Sequence, residues 1–233
     1  MGRSSIYNSL FDSSTTFNSG TPFFKSGSKI MQLMYEKKEF LILVFANLIA
    51  QLGITYYVME RTTNIKVSST PLFIAQLIIL FVMILVPMPE IIKFLLFCLF
   101  SYTWGLALSN LKKEYNSDMI NVAIQGALTV FAVFVVAGIT LIAGGINLGY
   151  RFGAILFWTL LALIVARLIF ITSMNQAHKI LSFIGIILFA MYVMYDTNII
   201  LQRNYYGDFV TASMDYYLDI LNLFTSFLGF SNN

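Results

Sequence analysis

Three aspartates in otherwise apolar segments are the residues of this sequence best placed to do chemistry. Asp196 follows a long apolar stretch, and Asp215 and Asp219 lie four residues apart in the next apolar segment. Residues four apart share one face of a helix, so these two carboxyl groups should be neighbours. A carboxyl group at membrane depth is costly to bury, and its presence there points to function.

Carboxyl groups held close together in an apolar setting share a proton or bind a cation, because two ionised carboxylates repel each other. The pattern therefore predicts a proton-sensitive or cation-binding site built from Asp196, Asp215 and Asp219. A simpler alternative places Asp196 and Asp215 near the membrane interface, where water solvates them. The residues alone leave both interpretations open.

The residues needed for metal sites, phosphate-binding loops and serine hydrolases are absent from the sequence. His178 is the only histidine and Cys98 the only cysteine, so the metal spacings of paired His and Cys are absent. No Gly-rich phosphate loop and no G-x-S-x-G elbow occurs. We expect no enzyme and no bound cofactor. An aspartyl protease using Asp196 and Asp219 is an alternative, but its second Gly-x-Gly-Asp signature is missing.

The composition indicates which elements must position these acids. Of 233 residues, 58% are hydrophobic and only 11% are charged, against about 25% charged in ordinary soluble domains. So apolar a chain predicts an integral membrane protein with the lipid bilayer as its main partner. The formal net charge of +3 is too small to suggest binding of nucleic acid.

Seven continuous apolar segments approach the roughly 20 residues that a spanning helix needs. Continuous runs predict an all-α fold, because strands of a membrane barrel alternate and are about ten residues long. The last segment carries two acids, so we expect its helix at the centre of the bundle. The predicted spans are Phe40–Met59, Pro71–Val86, Ile91–Ser109, Met119–Ile142, Phe152–Ile171, Ile180–Leu201 and Phe209–Phe230.

The chain divides into a polar N-terminal tail, 1–35, which we expect to be disordered, and a transmembrane domain, 36–231. The balance of Lys and Arg in the loops favours a cytosolic N-terminus. Seven spans put the C-terminus on the opposite side, whereas a re-entrant last segment would leave both ends in the cytosol. Arg167, near the end of the fifth span, is expected to extend outwards to the lipid headgroups.

Two signatures near the C-terminal end resemble the Bax inhibitor-1 family, also called the transmembrane Bax inhibitor motif family. The first is Met-Tyr-Asp-Thr-Asn at 194–198, and the second is Tyr-Tyr-Leu-Asp-Ile-Leu-Asn-Leu-Phe at 216–224. The segment Gly-Ala-Leu-Thr-Val-Phe-Ala at 126–132 is also similar to its counterpart in that family. The resemblance covers roughly residues 30–230.

The resemblance implies a pH-modulated Ca²⁺ leak pathway that suppresses cell death by lowering Ca²⁺ stores. It assigns Asp196 and Asp219 to a hydrogen-bonded pair that gates the pore and holds Ca²⁺ transiently, and it matches Asp215 to an extra acid found in some members. Ca²⁺ would be the permeant ion and membrane cell-death regulators the partners. An alternative is a non-conducting regulator that binds death-pathway or channel proteins.

The resemblance also implies a location in the cell. It implies the endoplasmic reticulum or Golgi for a eukaryotic or viral protein, and the inner membrane for a bacterial one. The sequence departs from the family pattern at one position. In bacterial members an Arg near the end of the second helix contacts the Asp pair. Here residues 86–90 read Val-Pro-Met-Pro-Glu, and Lys93 is the nearest cation. The sequence leaves open whether Lys93 replaces that Arg.

Overall fold

The computed structural model describes residues 30–62, 68–170, 175–203, 205 and 207–231. This part of the chain is helical apart from short connections, which confirms the all-α prediction. The seven long helices are α1 (Lys38–Arg61), α2 (Ser69–Leu85), α3 (Glu90–Leu111), α4 (Ser117–Ala143), α5 (Tyr150–Ile169), α6 (Asn175–Gln202) and α7 (Phe209–Ser231). Residues 30–36 are also helical, inside the predicted tail, whereas 1–29 lie outside the described residues.

Local sequence explains where several helices begin and end. Helix α3 starts directly after Pro89, because proline fits the start of a helix, where its missing N–H bonds nothing. Asn116 caps α4 by accepting a hydrogen bond from the Met119 backbone N–H at 2.9 Å. Glycines with a left-handed backbone follow α4 and precede α7, at Gly145 (φ 76°) and Gly207 (φ 86°).

Five of the described helices, α1, α3, α4, α5 and α6, are long and apolar enough to cross a membrane. Helix α2 is apolar but shorter, with 17 residues. Helix α7 is long enough, with 23 residues, but does not meet the same standard of hydropathy. The chain is therefore a multi-pass integral membrane protein, and the count of seven spans stays a prediction.

Helix α7 lies at the centre of the bundle. It packs against α1, α3, α4 and α6, while α2 packs along α3 and α5 packs along α6. Thirteen of its 23 residues are buried, whereas α5 has two buried residues, Leu156 and Leu163. Helix α7 is also unbroken, so the described residues do not double back as a re-entrant segment would. The acid-bearing helix is thus shielded from lipid by its neighbours.

Candidate functional site

The structure brings two of the three predicted acids into direct contact. Asp196 lies in the last third of α6 and Asp219 near the middle of α7, and the two helices pack along each other. The carboxyl groups lie within hydrogen-bonding reach of each other. Residues separated by 23 positions in the sequence thus form one pair inside the bundle.

The Asp219 side chain is enclosed. It is 4% exposed, and its Oδ2 atom receives no hydrogen bond from any donor in the described part of the chain. Two ionised carboxylates cannot hydrogen-bond each other, because both only accept. A proton on one member of the pair would supply the missing donor. A cation between the two would serve the same purpose.

Asp215 lies one helical turn before Asp219 but has a different partner. Its Oδ2 accepts a hydrogen bond from the Tyr205 hydroxyl at 3.3 Å. Tyr205 belongs to the connection between α6 and α7, and its ring packs against Phe40 of α1 with centroids 6.0 Å apart. Asp215 is close enough to Asp196 for their charges to interact. The connection therefore covers the acids at this end of the bundle.

Aromatic rings and hydroxyls line the acid pair. The Tyr216 hydroxyl donates to Thr197 Oγ1 at 2.8 Å, which ties α7 to the residue after Asp196. The Phe131 ring of α4 meets the Tyr216 ring edge-on at 5.1 Å. Tyr192, one turn before Asp196, lies within electrostatic range of both Asp196 and Asp219. Because Asp219 is buried, unshielded charge on it is costly.

Asn198, two residues after Asp196, holds a neighbouring loop rather than the acids. Its side chain accepts from the Leu148 backbone N–H at 3.0 Å and donates to the Ile146 carbonyl at 3.2 Å. Gln202, the last residue of α6, also donates to Asn198 at 3.2 Å. The Asp-Thr-Asn sequence thus supplies one acid, one link to α7 and one link to the α4–α5 connection.

A comparison with models of known protein families identifies the family of this chain. The model of a family described as inhibitor of apoptosis-promoting Bax1 matches residues 36–233. The chain belongs to the Bax inhibitor-1 family. The match extends well beyond the two signatures at 194–198 and 216–224, and it includes every long helix.

Individual relatives match over shorter stretches. Protein LIFEGUARD 1 of Arabidopsis thaliana is 37% identical over 83 residues, 35% of each chain. A Golgi anti-apoptotic protein of vaccinia virus (strain Lister) is 37% identical over 79 residues, covering 34% of this chain and 33% of the viral one. Protein LIFEGUARD 4 of Arabidopsis thaliana is 35% identical over 85 residues, 34% of each chain. The matches thus span about a third of these relatives' lengths.

The structure resolves the role of Lys93, which the resemblance to the Bax inhibitor-1 family left open. Its ammonium group lies 2.5 Å from Asp208 Oδ2 and also hydrogen-bonds the Thr211 hydroxyl. Asp208 caps α7, accepting from the Thr211 backbone N–H at 2.9 Å. Among the described residues, the hydrogen bonds of Lys93 therefore join α3 to the start of α7, and none of them reaches Asp196 or Asp219.

A second lysine holds the other end of the α6–α7 connection. Lys37, just before α1, donates to the Ile200 carbonyl at 2.8 Å and to the Arg203 carbonyl. These carbonyls belong to the end of α6, where backbone acceptors lack helical partners. Burial lowers the pKa of Lys37. Two lysines thus hold the connection that covers Asp215.

Opposing effects act on Asp208. Burial raises its pKa, but hydrogen bonds from Lys93 and Thr211 outweigh this and hold the pKa below the ordinary value of 3.8. Asp208 is thus ionised at neutral and mildly acidic pH. Burial raises the pKa of Tyr205, and the charges of Asp215 and Asp196 raise it further, so its hydroxyl stays a donor.

Sequence reasoning missed a buried polar network beside the acids. Asn47, Gln51 and Thr55 recur every four residues along α1, on the face turned to α3 and α7. Its hydrogen bonds are Asn47 to Ser213 (2.6 Å), Gln51 to Asn47 (3.0 Å), Ser101 to Gln51 (2.8 Å) and Thr55 with Tyr217 (2.6 Å). Polar residues at helical spacing in an apolar segment were the available signal.

Arg167 and His178 lie at the opposite end of the bundle from the α6–α7 connection. Arg167 does not extend outwards as expected, because its guanidinium turns inwards and donates to Ser226 Oγ of α7 at 3.2 Å. It lies at the end of α5, whereas His178 lies in the first turns of α6. Both are separate from the acid pair.

Proposed function

We propose that this protein is a pH-sensitive Ca²⁺ leak channel of the Bax inhibitor-1 type. The gate is the pair Asp196 and Asp219, with Asp215 as a third acid beside it. The observation that carries the proposal is the contact between these two carboxyl groups inside the bundle. In the closed state they share a proton, and in the conducting state they are ionised and pass a cation.

The surroundings of Asp219 support this two-state behaviour. The enclosed Oδ2 atom has no donor among the described residues, and a proton shared by the pair would supply a donor at this site. Loss of that proton leaves two facing negative charges, which repel unless a cation intervenes. The same pair thus links protonation to cation occupancy, and we assign no catalytic step to it.

Ca²⁺ fits as a permeant ion rather than a resident one. It prefers six to eight oxygen ligands. The described residues place no group of three or more His, Cys, Asp or Glu side chains able to hold a metal ion. Two carboxyl groups would therefore bind Ca²⁺ only transiently, and transient binding permits conduction because the ion must also leave.

The name of one relative supports a location for the protein and a role in cell death. A relative from vaccinia virus is named a Golgi anti-apoptotic protein, which supports a Golgi or endoplasmic reticulum location and suppression of cell death. The bundle would then cross the membrane seven times, with α7 as the shielded seventh span. A leak from these compartments lowers the Ca²⁺ available to death signalling.

The test is Ca²⁺ flux through purified protein in liposomes over a range of pH. Flux should rise from acidic to neutral pH as the Asp196–Asp219 pair loses its proton. Asp219→Asn and Asp196→Asn should each remove the pH dependence, because an amide does not titrate in this range. Asp118→Asn is the matched control, since Asp118 is exposed at the start of α4. Unchanged flux and pH dependence in both pair variants would refute the gate assignment.

A non-conducting regulator is the second candidate, because the vaccinia relative's name describes an anti-apoptotic role and no transport. Such a protein binds membrane cell-death regulators and alters Ca²⁺ through them. It predicts no flux from purified protein at any pH, together with a regulator that copurifies from cells. Flux from the purified protein alone would exclude it as the sole activity.

A further inference from the structure

A cavity lined by both polar and apolar side chains lies far from the acid pair, where the end of α5 meets the start of α6, the end of α7 and the α3–α4 connection. Its volume is about 510 Å³. The described residues that line it include no acid, and those with polar side chains are Tyr115, Arg167, His178, Ser182 and Thr225. The cavity therefore carries the charge of Arg167 together with several hydrogen-bond donors.

The Arg167 guanidinium is held inside this cavity by close helix packing. A Cβ atom added at Gly185 of α6 would lie 2.9 Å from Arg167 Nη2 and 2.6 Å from Ser226 Oγ. Only glycine therefore lets α6 approach closely enough for Arg167 to reach α7. The partner that Arg167 finds there, the Ser226 hydroxyl, is neutral. Ser226 is the hydrogen-bond partner of Arg167 among the described residues, and an inward-facing cation with a neutral partner is suited to receive an anion.

We propose that this cavity binds the phosphate of an anionic phospholipid headgroup. Arg167 donates to the phosphate oxygens, since guanidinium matches phosphate geometry and keeps its charge at any physiological pH. The His178 ring and the hydroxyls of Ser182 and Thr225 supply further donors. Basic pockets between membrane helices are known settings for lipid phosphates.

A lipid is favoured over free phosphate by what surrounds the cavity. It lies at helix ends, which is the depth of the headgroups in a bilayer. Two of its lining residues, Ile164 and Leu168 of α5, are 47% and 64% exposed on the outer face of the bundle. Acyl chains can cover these apolar side chains while the phosphate reaches Arg167.

The test counts lipids retained by the full-length protein in native mass spectrometry. Phosphatidic acid is titrated against phosphatidylcholine with the same acyl chains. The wild type should retain the anionic lipid preferentially, and Arg167→Gln should weaken that retention about tenfold, the size expected for losing a charged hydrogen-bond donor. Arg167→Lys keeps the charge but not the guanidinium geometry, and should retain more of the binding than Arg167→Gln. Arg151→Gln is the control, because Arg151 is exposed at the other end of α5.

Thermal unfolding of each variant separates a lost site from a lost fold, and Arg167→Lys still reports on the charge if Arg167→Gln does not fold. Equal retention of the two lipids by the wild type would overturn the proposal. So would retention by Arg167→Gln at the wild-type level. Inorganic phosphate is a separate arm: if it binds through Arg167 while phosphatidic acid shows no preference, the lipid assignment is wrong.

Discussion

Substitution of Asp208 separates two contributions that one side chain makes to the start of α7. Its Oδ1 atom caps the helix by accepting from the Thr211 backbone N–H, and its Oδ2 atom pairs with Lys93 of α3. Asparagine caps helices about as well as aspartate but carries no charge. Asp208→Asn therefore removes mainly the ion pair, whereas Asp208→Ala removes the cap as well.

The expected magnitudes follow from burial and geometry. Lys93 and Asp208 side chains are 15% and 33% exposed, so the pair is partly screened and should contribute about 0.5–1 kcal/mol. Loss of the cap costs about 1 kcal/mol more. For a chain of this size about 1 kcal/mol lowers Tm by roughly 2–4 °C. Asp208→Asn should thus lower Tm by about 2 °C, and Asp208→Ala by about 5 °C.

The pH dependence has a definite sign. The pKa of Asp208 is lowered in the folded protein, so its stabilising effect is fully present above the ordinary pKa of 3.8 and is lost as pH falls through the folded value. The wild type should keep a constant advantage over Asp208→Asn between pH 5 and pH 8, roughly, and lose it only below about pH 4.

The assay is thermal unfolding of purified protein in one detergent, completed as a double-mutant cycle with Lys93→Met. The double variant Lys93→Met/Asp208→Asn should be more stable than the sum of the single losses predicts. Additive losses would refute the pair, and a stability difference that changes between neutral pH and pH 5 would refute the pKa argument. Because Lys93 and Asp208 stay ionised between neutral pH and pH 5, any pH dependence of Ca²⁺ flux in that range must come from other groups.

Three further changes test the packing around the site. Gly138→Ala should destabilise the protein by about 1–3 kcal/mol, because the new Cβ would lie 2.8 Å from the Met194 carbonyl oxygen; Gly53→Ala, with nothing within 4 Å, should be neutral or stabilising in the same unfolding assay. Tyr217→Phe should cost about 1 kcal/mol by removing its hydrogen bond with Thr55, and an unchanged Tm would contradict this. Lys37→Met should raise hydrogen exchange at residues 200–203, because Lys37 holds the carbonyls of Ile200 and Arg203; unchanged exchange there would show that the contact does not order the end of α6.

Much of the architecture follows from composition and periodicity. Apolar runs of about 20 residues can satisfy their backbone hydrogen bonds in a membrane only as helices, and the observed helices match the predicted spans within a few residues. The acids in the last segment correctly predicted a central α7, because a lipid-facing carboxyl would be expensive. The spacing of polar residues along α1 also indicated the network around Gln51, but the sequence analysis did not identify it.

The partners of the charged residues depended on tertiary structure. The sequence singled out Asp196, Asp215 and Asp219, but only the packing of α6 on α7 decides that Asp196 faces Asp219 while Asp215 turns to Tyr205. Lys93 pairs with Asp208 because α3 packs beside the start of α7. Helix periodicity fixes which residues share a face, whereas long-range partners depend on how separate helices are rotated and aligned against one another.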